Sequence, residues 1–260
     1  LKALSSIGIQ IDFLVGASMG GVIAATYAAG LDPSKIEEIA CYVGTTSRLA
    51  RLADPALPQK GLIKGKKIHD FFDQQLHSKT FDDLQISLTI IAVDVNSNRE
   101  IHISKGSIAD ALRATISIPG IFFPIEKDGM RLVDGGLLNN LPVDVVRDMG
   151  ADVVLAVDVG WHGRGKEQWR ESNQTLLSFT PLGDLVLTLY ESMDILLSQQ
   201  VKHKIQSSKP DFLLQPQLPP GITSLTGYTH AAELIAIGEE ATQPILADLR
   251  LSLHPTNDPT

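Results

Sequence analysis

Between Phe13 and Leu31 the chain runs for 19 residues without a charge. That length alone would suffice for a membrane span. The composition argues against one, because Gly16, Ser18, Gly20, Gly21, Thr26 and Gly30 interrupt the apolar run. The stretch reads instead as strand, tight turn and small-residue helix. Ile9 to Val15 has the nearly continuous apolar pattern of a strand covered on both faces. Gly21 to Ala29 reads as the helix, with Gly30 as its C-terminal stop.

At the junction stands Gly16-Ala17-Ser18-Met19-Gly20, of the form Gly-x-Ser-x-Gly. A strand entering and a helix leaving are the context in which this pattern lifts a serine oxygen above a sheet. Ser18 is therefore the candidate nucleophile. The N-terminal dipole of the following helix favours developing negative charge, and the Met19 N–H is the natural oxyanion donor. The plainer reading is a glycine-rich turn holding an inert serine. A serine hydroxyl needs a base, and Asp134, at the end of a short strand and followed by Gly135-Gly136, is the persuasive carboxylate. Glycines there would let the backbone turn sharply, and burial would raise the carboxyl pKa toward that of a useful base. The bland alternative is an Asx turn. A Ser-His-Asp triad of the α/β-hydrolase order would draw its histidine from His162, His203, His230 or His254. None of the four stands in a turn-rich setting, and the triad remains an alternative.

Further apolar runs, at Ile86–Val95, Arg131–Val133 and Asp152–Val159, alternate with helical segments near 66–76, 107–115, 142–149, 182–205 and 228–249. This predicts an α/β fold, a mainly parallel central sheet flanked by helices, in one domain over residues 1–260. The stretch 44–67 reads as loop and 254–260 as a frayed tail. A net charge of −8, from 22 Lys+Arg against 30 Asp+Glu, gives no footprint for nucleic acid. A single cysteine, Cys41, closes no intrachain disulfide and suits a reducing compartment, most simply the cytoplasm.

Three further features carry less weight. Gly160 to Glu167 nearly spells a phosphate loop, but Glu167 occupies the position of the magnesium-binding Ser or Thr. His69, Asp70, Asp73 and His77 share a helical face that is better read as polar surface than as a metal site. No cofactor and no metal are expected. Lys60, Lys64, Lys66 and Lys67 flank Leu62-Ile63 and could meet anionic lipid headgroups; a solvated loop and helix start is preferred.

Gly16-Ala17-Ser18-Met19-Gly20 together with Asp134-Gly135-Gly136, 116 residues after the serine, resembles the patatin-like phospholipases. Ser117-Ile118-Pro119-Gly120, Phe123-Pro124 and the run Asp134 to Pro142 extend the resemblance, which covers Leu1 to about Gly160. Val133 to Gly160 is similar to bacterial patatin-like proteins and to the catalytic domain of neuropathy target esterase. The resemblance implies a Ser–Asp dyad, Ser18 with Asp134, and lipid or simpler acyl esters as substrate, with contact at a membrane periphery. It also implies a strand and Gly-rich oxyanion loop upstream of Leu1, so these 260 residues alone are expected to be weak or inactive. A patatin-like module acting only by binding is the competing expectation.

Overall fold

The computed structural model describes residues 1–55, 61–160, 181–219, 222 and 227–253. After a short helix α1 (Lys2–Ser6), strand β1 (Phe13–Ala17) leads directly into α2 (Ser18–Ala28). The strand starts later than the apolar run suggests. Its partner β2 (Ser87–Asp94) begins at Ser87, opposite Phe13, so among the described residues no strand lies beside 9–12. The helix also starts earlier, at Ser18 itself. Gly30, with φ of +91°, provides the left-handed stop after α2. Asp32 then caps α3 (Pro33–Val43), its carboxylate accepting the Ser34 N–H at 2.8 Å, with Pro33 in the first turn. The segment expected to be loop contains α4 (Thr46–Leu52), and α5 (Lys66–Gln75) follows it.

The buried strand β2 organises the sheet. Ile90 and Ile91 pair with both β1 and β3 (Arg99–Ile103), and Ala92 to Asp94 pair with both β3 and β5 (Met130–Asp134). So β3 occupies one edge of β2, while β1 and β5 share the other, end to end. β4 (Ile125–Lys127) pairs antiparallel with β5. The α/β class and the flanking helices are as expected, but this five-stranded sheet is mixed, with only β1–β2 parallel. The cause is local. Residues 95–98 and Asp128-Gly129 are hairpin turns, with left-handed Asn98, Asp128 and Gly129 (φ +55°, +52° and +77°), and such short links join only antiparallel strands. The expected strand 152–159 is β6 (Leu155–Val157), which pairs in parallel with β7 (Phe212–Leu214) in a separate two-stranded sheet.

Successive residues of β2 face opposite layers. Ile90 packs with Ala24, Ala25 and Ala28 of α2 and with Ile108 and Leu112 of α6 (Ile108–Thr115). Ile91 packs with Ala17 and with Val145 of α8 (Val143–Asp148), which follows the short α7 (Gly136–Asn139). Leu141, Val143, Val154, Ala156 and Val201 form another cluster, bringing the long helix α9 (Pro181–Ser208) against α8 and β6. The last expected helix is divided into α10 (Ala231–Thr242) and α11 (Leu246–Leu253) by a short 3₁₀ turn at Pro244. Among the described residues no helix is long and apolar enough to cross a membrane.

Candidate active site

Ser18 carries a φ of +50°, a left-handed conformation unusual outside glycine. It is the first residue of α2, so the chain turns from strand to helix on the serine itself. The tightness of the turn explains its glycines unevenly. A Cβ on Gly16 would lie 2.5 Å from the backbone of Gly20 and Gly21, and one on Gly21 would lie 3.2 Å from the Gly16 carbonyl oxygen. A Cβ on Gly20 would meet nothing within 4 Å. Gly16 is therefore the steric requirement, Gly21 is a tight fit, and Gly20, the last glycine of the motif, is neither. Ser18 is partly exposed and Met19 is 40% exposed, so the elbow opens to the surface.

The shared edge of β2 brings Asp134 to this turn. Ala17 pairs with Ile91 and Asp134 pairs with Ala92, so two strands running in opposite directions end at adjacent residues. The Asp134 side chain is buried, and its Oδ1 accepts the Gly136 N–H at 2.8 Å. Burial pushes its pKa up to about 6, although hydrogen bonds from the Ser18 hydroxyl and the Gly136 N–H pull the other way. Asp134 thus titrates close to neutrality beside the serine. The following glycines act differently from a sharp turn. Gly135 has an ordinary helical conformation (φ −65°, ψ −26°), but a Cβ there would stand 2.1 Å from the Ile91 carbonyl oxygen. Its role is close approach to β2.

Arg113, a residue the sequence reading passed over, is 3% exposed. Its guanidinium donates to Ser117 Oγ at 2.7 Å and to the carbonyls of Lys64 at 2.6 Å and Phe123 at 2.8 Å. Burial lowers its pKa to about 10, with Asp54 opposing. It is the only charged residue between Asp110 and Glu126, which is the signal that could have found it.

Among the described residues the other candidates have partners of their own or are exposed. His69 Nε2 is 3.0 Å from Asp110, His102 Nε2 is 2.7 Å from Glu100, and His230 Nδ1 is 3.1 Å from Glu233. His77 and His203 are exposed. His162, His254, Lys60 and nearly all of the phosphate-loop lookalike lie outside the described residues. Asp73 accepts from Ser78, and no metal-holding cluster occurs among the described residues. Lys66 pairs with Asp70 at 2.6 Å, and Lys67 donates to the Ala53 carbonyl at 3.1 Å.

The family model of patatin-like phospholipase matches residues 1–147. The chain belongs to the patatin-like phospholipase family. This patatin-like chain is 30% identical over 177 residues to an uncharacterized NTE family protein of Mycobacterium tuberculosis, covering 67% of its own length and 48% of that relative. It is 32% identical over 164 residues to the human patatin-like phospholipase domain-containing protein 6, covering 62% of this chain and 12% of that protein. It thus spans about half, or far less, of the curated relatives it matches. Among solved structures, VipD from Legionella pneumophila has a similar fold, with a TM-score of 0.51 at 14% identity, over 95% of this chain and 63% of that one.

Proposed function

We propose that this chain is a serine hydrolase of lipid acyl esters, of the phospholipase or lysophospholipase type, with Ser18 as nucleophile and Asp134 as its base. The observation that carries this reading is a buried carboxyl, with a pKa of about 6, against the hydroxyl of a serine on a strained strand-to-helix turn. Family membership agrees with the ester-hydrolase chemistry.

In the acylation step Asp134 takes the hydroxyl proton as Ser18 Oγ bonds to the ester carbonyl carbon. The carbonyl electrons move to oxygen, where the Met19 N–H, in the first turn of α2, meets the developing charge. Collapse expels the alcohol, which leaves with the proton held on Asp134. Water then attacks the acyl-serine as Asp134 takes its proton, and Asp134 returns that proton to Ser18 Oγ as the acyl–oxygen bond breaks and the acid is released. Because lipid esters reside at aggregate surfaces, peripheral contact with a membrane is part of this reading.

A fluorophosphonate probe and a panel of nitrophenyl esters test it. Tested alone and with residues upstream of Leu1 added, the longer form should be labelled and should hydrolyse the esters well and the 260 residues alone only weakly; in the longer form Ser18→Ala should abolish both, and Asp134→Asn should remove hydrolysis. Activity that survives Asp134→Asn would return the histidine triad. Absence of labelling in the longer form would favour a binding module.

A further inference from the structure

We propose that the end of α6, Thr115 to Ser117, sets the relative position of Ser18 and Asp134, and that Thr115 is the positioning residue of the nucleophile. The inference rests on the Ser18–Asp134 reading above.

Thr115 is wholly buried, and its hydroxyl makes two hydrogen bonds whose directions are fixed by chemistry. An amide can only donate and a carbonyl can only accept. So Thr115 Oγ1 accepts the Ser18 N–H at 2.8 Å and donates to the Ile91 carbonyl at 2.6 Å. The first bond satisfies the amide of the left-handed residue at the elbow, and the second anchors that residue to β2. The Ile91 carbonyl is also the group against which Gly135 packs, immediately after Asp134. One hydroxyl therefore joins the serine turn to the surface on which the aspartate loop rests.

Two residues further on, the Ser117 carbonyl accepts the Asp134 N–H at 3.1 Å. Ser117 is itself wholly buried, its Oγ held by the Arg113 guanidinium at 2.7 Å and donating to the Arg113 carbonyl at 2.8 Å. The backbone amides of both members of the pair are thus held by residues 115–117. The methyl of Thr115 lies 3.3 Å from the place a Cβ would take on Gly21, so it packs under the first turn of α2. A displacement of about 1 Å in such a pair costs about 100-fold in rate. The arrangement has a second effect: the Ser18 amide is committed to Thr115, which leaves the Met19 N–H as the amide the elbow can offer to an oxyanion.

The test compares the full chain with Thr115→Val, which keeps the shape and removes the hydroxyl, and Thr115→Ser, which keeps the hydroxyl and removes the methyl. Thr115→Val should lower kcat on a soluble nitrophenyl ester, and the rate of fluorophosphonate labelling, by about 10–100-fold with KM nearly unchanged. Thr115→Ser should recover most of the loss. Wild-type rates in folded Thr115→Val, or an equal deficit in Thr115→Ser, would overturn the proposal. Should Thr115→Val not fold, Thr115→Cys, which like Thr115→Ser lacks the methyl but offers only a weakly hydrogen-bonding thiol, is compared with Thr115→Ser in its place. Amide exchange over residues 17–20 provides a readout independent of activity. Loss of the hydroxyl should speed exchange there by about tenfold, and unchanged exchange refutes the positioning role. If the unaltered chain neither labels nor hydrolyses even with residues upstream of Leu1 added, the Ser–Asp reading fails, while the exchange result still decides the contact.

Discussion

Gly135 rests on the Ile91 carbonyl so closely that a Cβ would stand 2.1 Å from its oxygen. No rotamer relieves that contact, because both partners are backbone. Gly135→Ala should therefore push the aspartate loop off β2 and destabilise the fold by about 3 kcal/mol or more, as measured by urea unfolding. Gly16→Ala, with 2.5 Å contacts to backbone, should behave alike. Gly20→Ala is the control. It meets nothing within 4 Å, lies in a helix, and should leave stability unchanged or raise it by up to about 1 kcal/mol.

Asp134 carries a stability cost at neutral pH. Its pKa is about 6 in the folded chain against an ordinary 3.8. Between those values the folded state holds a proton that the unfolded state has lost, so stability falls as pH rises through about 4 to 6 and stays lower above. Asn cannot ionise. Asp134→Asn should thus melt higher than the unaltered chain at pH 7.5, by up to about 2–3 kcal/mol, with the difference vanishing below pH 4. A lower melting point at pH 7.5 would show that the carboxylate is stabilised where it lies.

The same carboxyl should govern the rate. A base must be ionised to accept the serine proton, so kcat/KM on a soluble ester should rise about tenfold per pH unit below 6 and level off above it. An inflection near pH 7 that disappears on replacing a histidine would assign the base elsewhere.

Arg113 ties α6 to the carbonyls of Lys64 and Phe123 and to Ser117. Arg113→Met would fill much of the volume while leaving those acceptors without their donor. A loss of about 2–4 kcal/mol in thermal or urea unfolding is expected. Arg113→Lys should recover only part, because an ammonium does not reproduce the planar fork that reaches three segments at once.

The sequence made the strand–turn–helix at 13–31, the serine, the aspartate and the buried strand β2 readable, because each leaves a local trace: period, glycine placement or apolar run. What it hid was pairing. Asp128-Gly129 is a hairpin signal in its own right, and recognising it would have exposed the antiparallel β4–β5 return. The separate β6–β7 sheet joins residues 155–157 to 212–214, a contact no local pattern encodes. Thr115 and Gly21 were illegible for the same reason. A threonine at a helix end and a second glycine look ordinary until Ser18, Ile91 and Gly16 are seen beside them.

The end-to-end arrival of β1 and β5 on one edge of β2 makes the distance between Ser18 and Asp134 almost independent of the 115 residues that lie between them in the chain. Lengthening an exposed connection within that interval adds little entropy cost and leaves both strand ends where they are. One residue inserted inside β1 or β5 is another matter. It moves a strand end by about 3.3 Å along β2 and turns its side chains to the opposite face. Viable length variants of this chain should therefore carry their insertions in the connections, with none in the five residues before Ser18 or the four before Asp134.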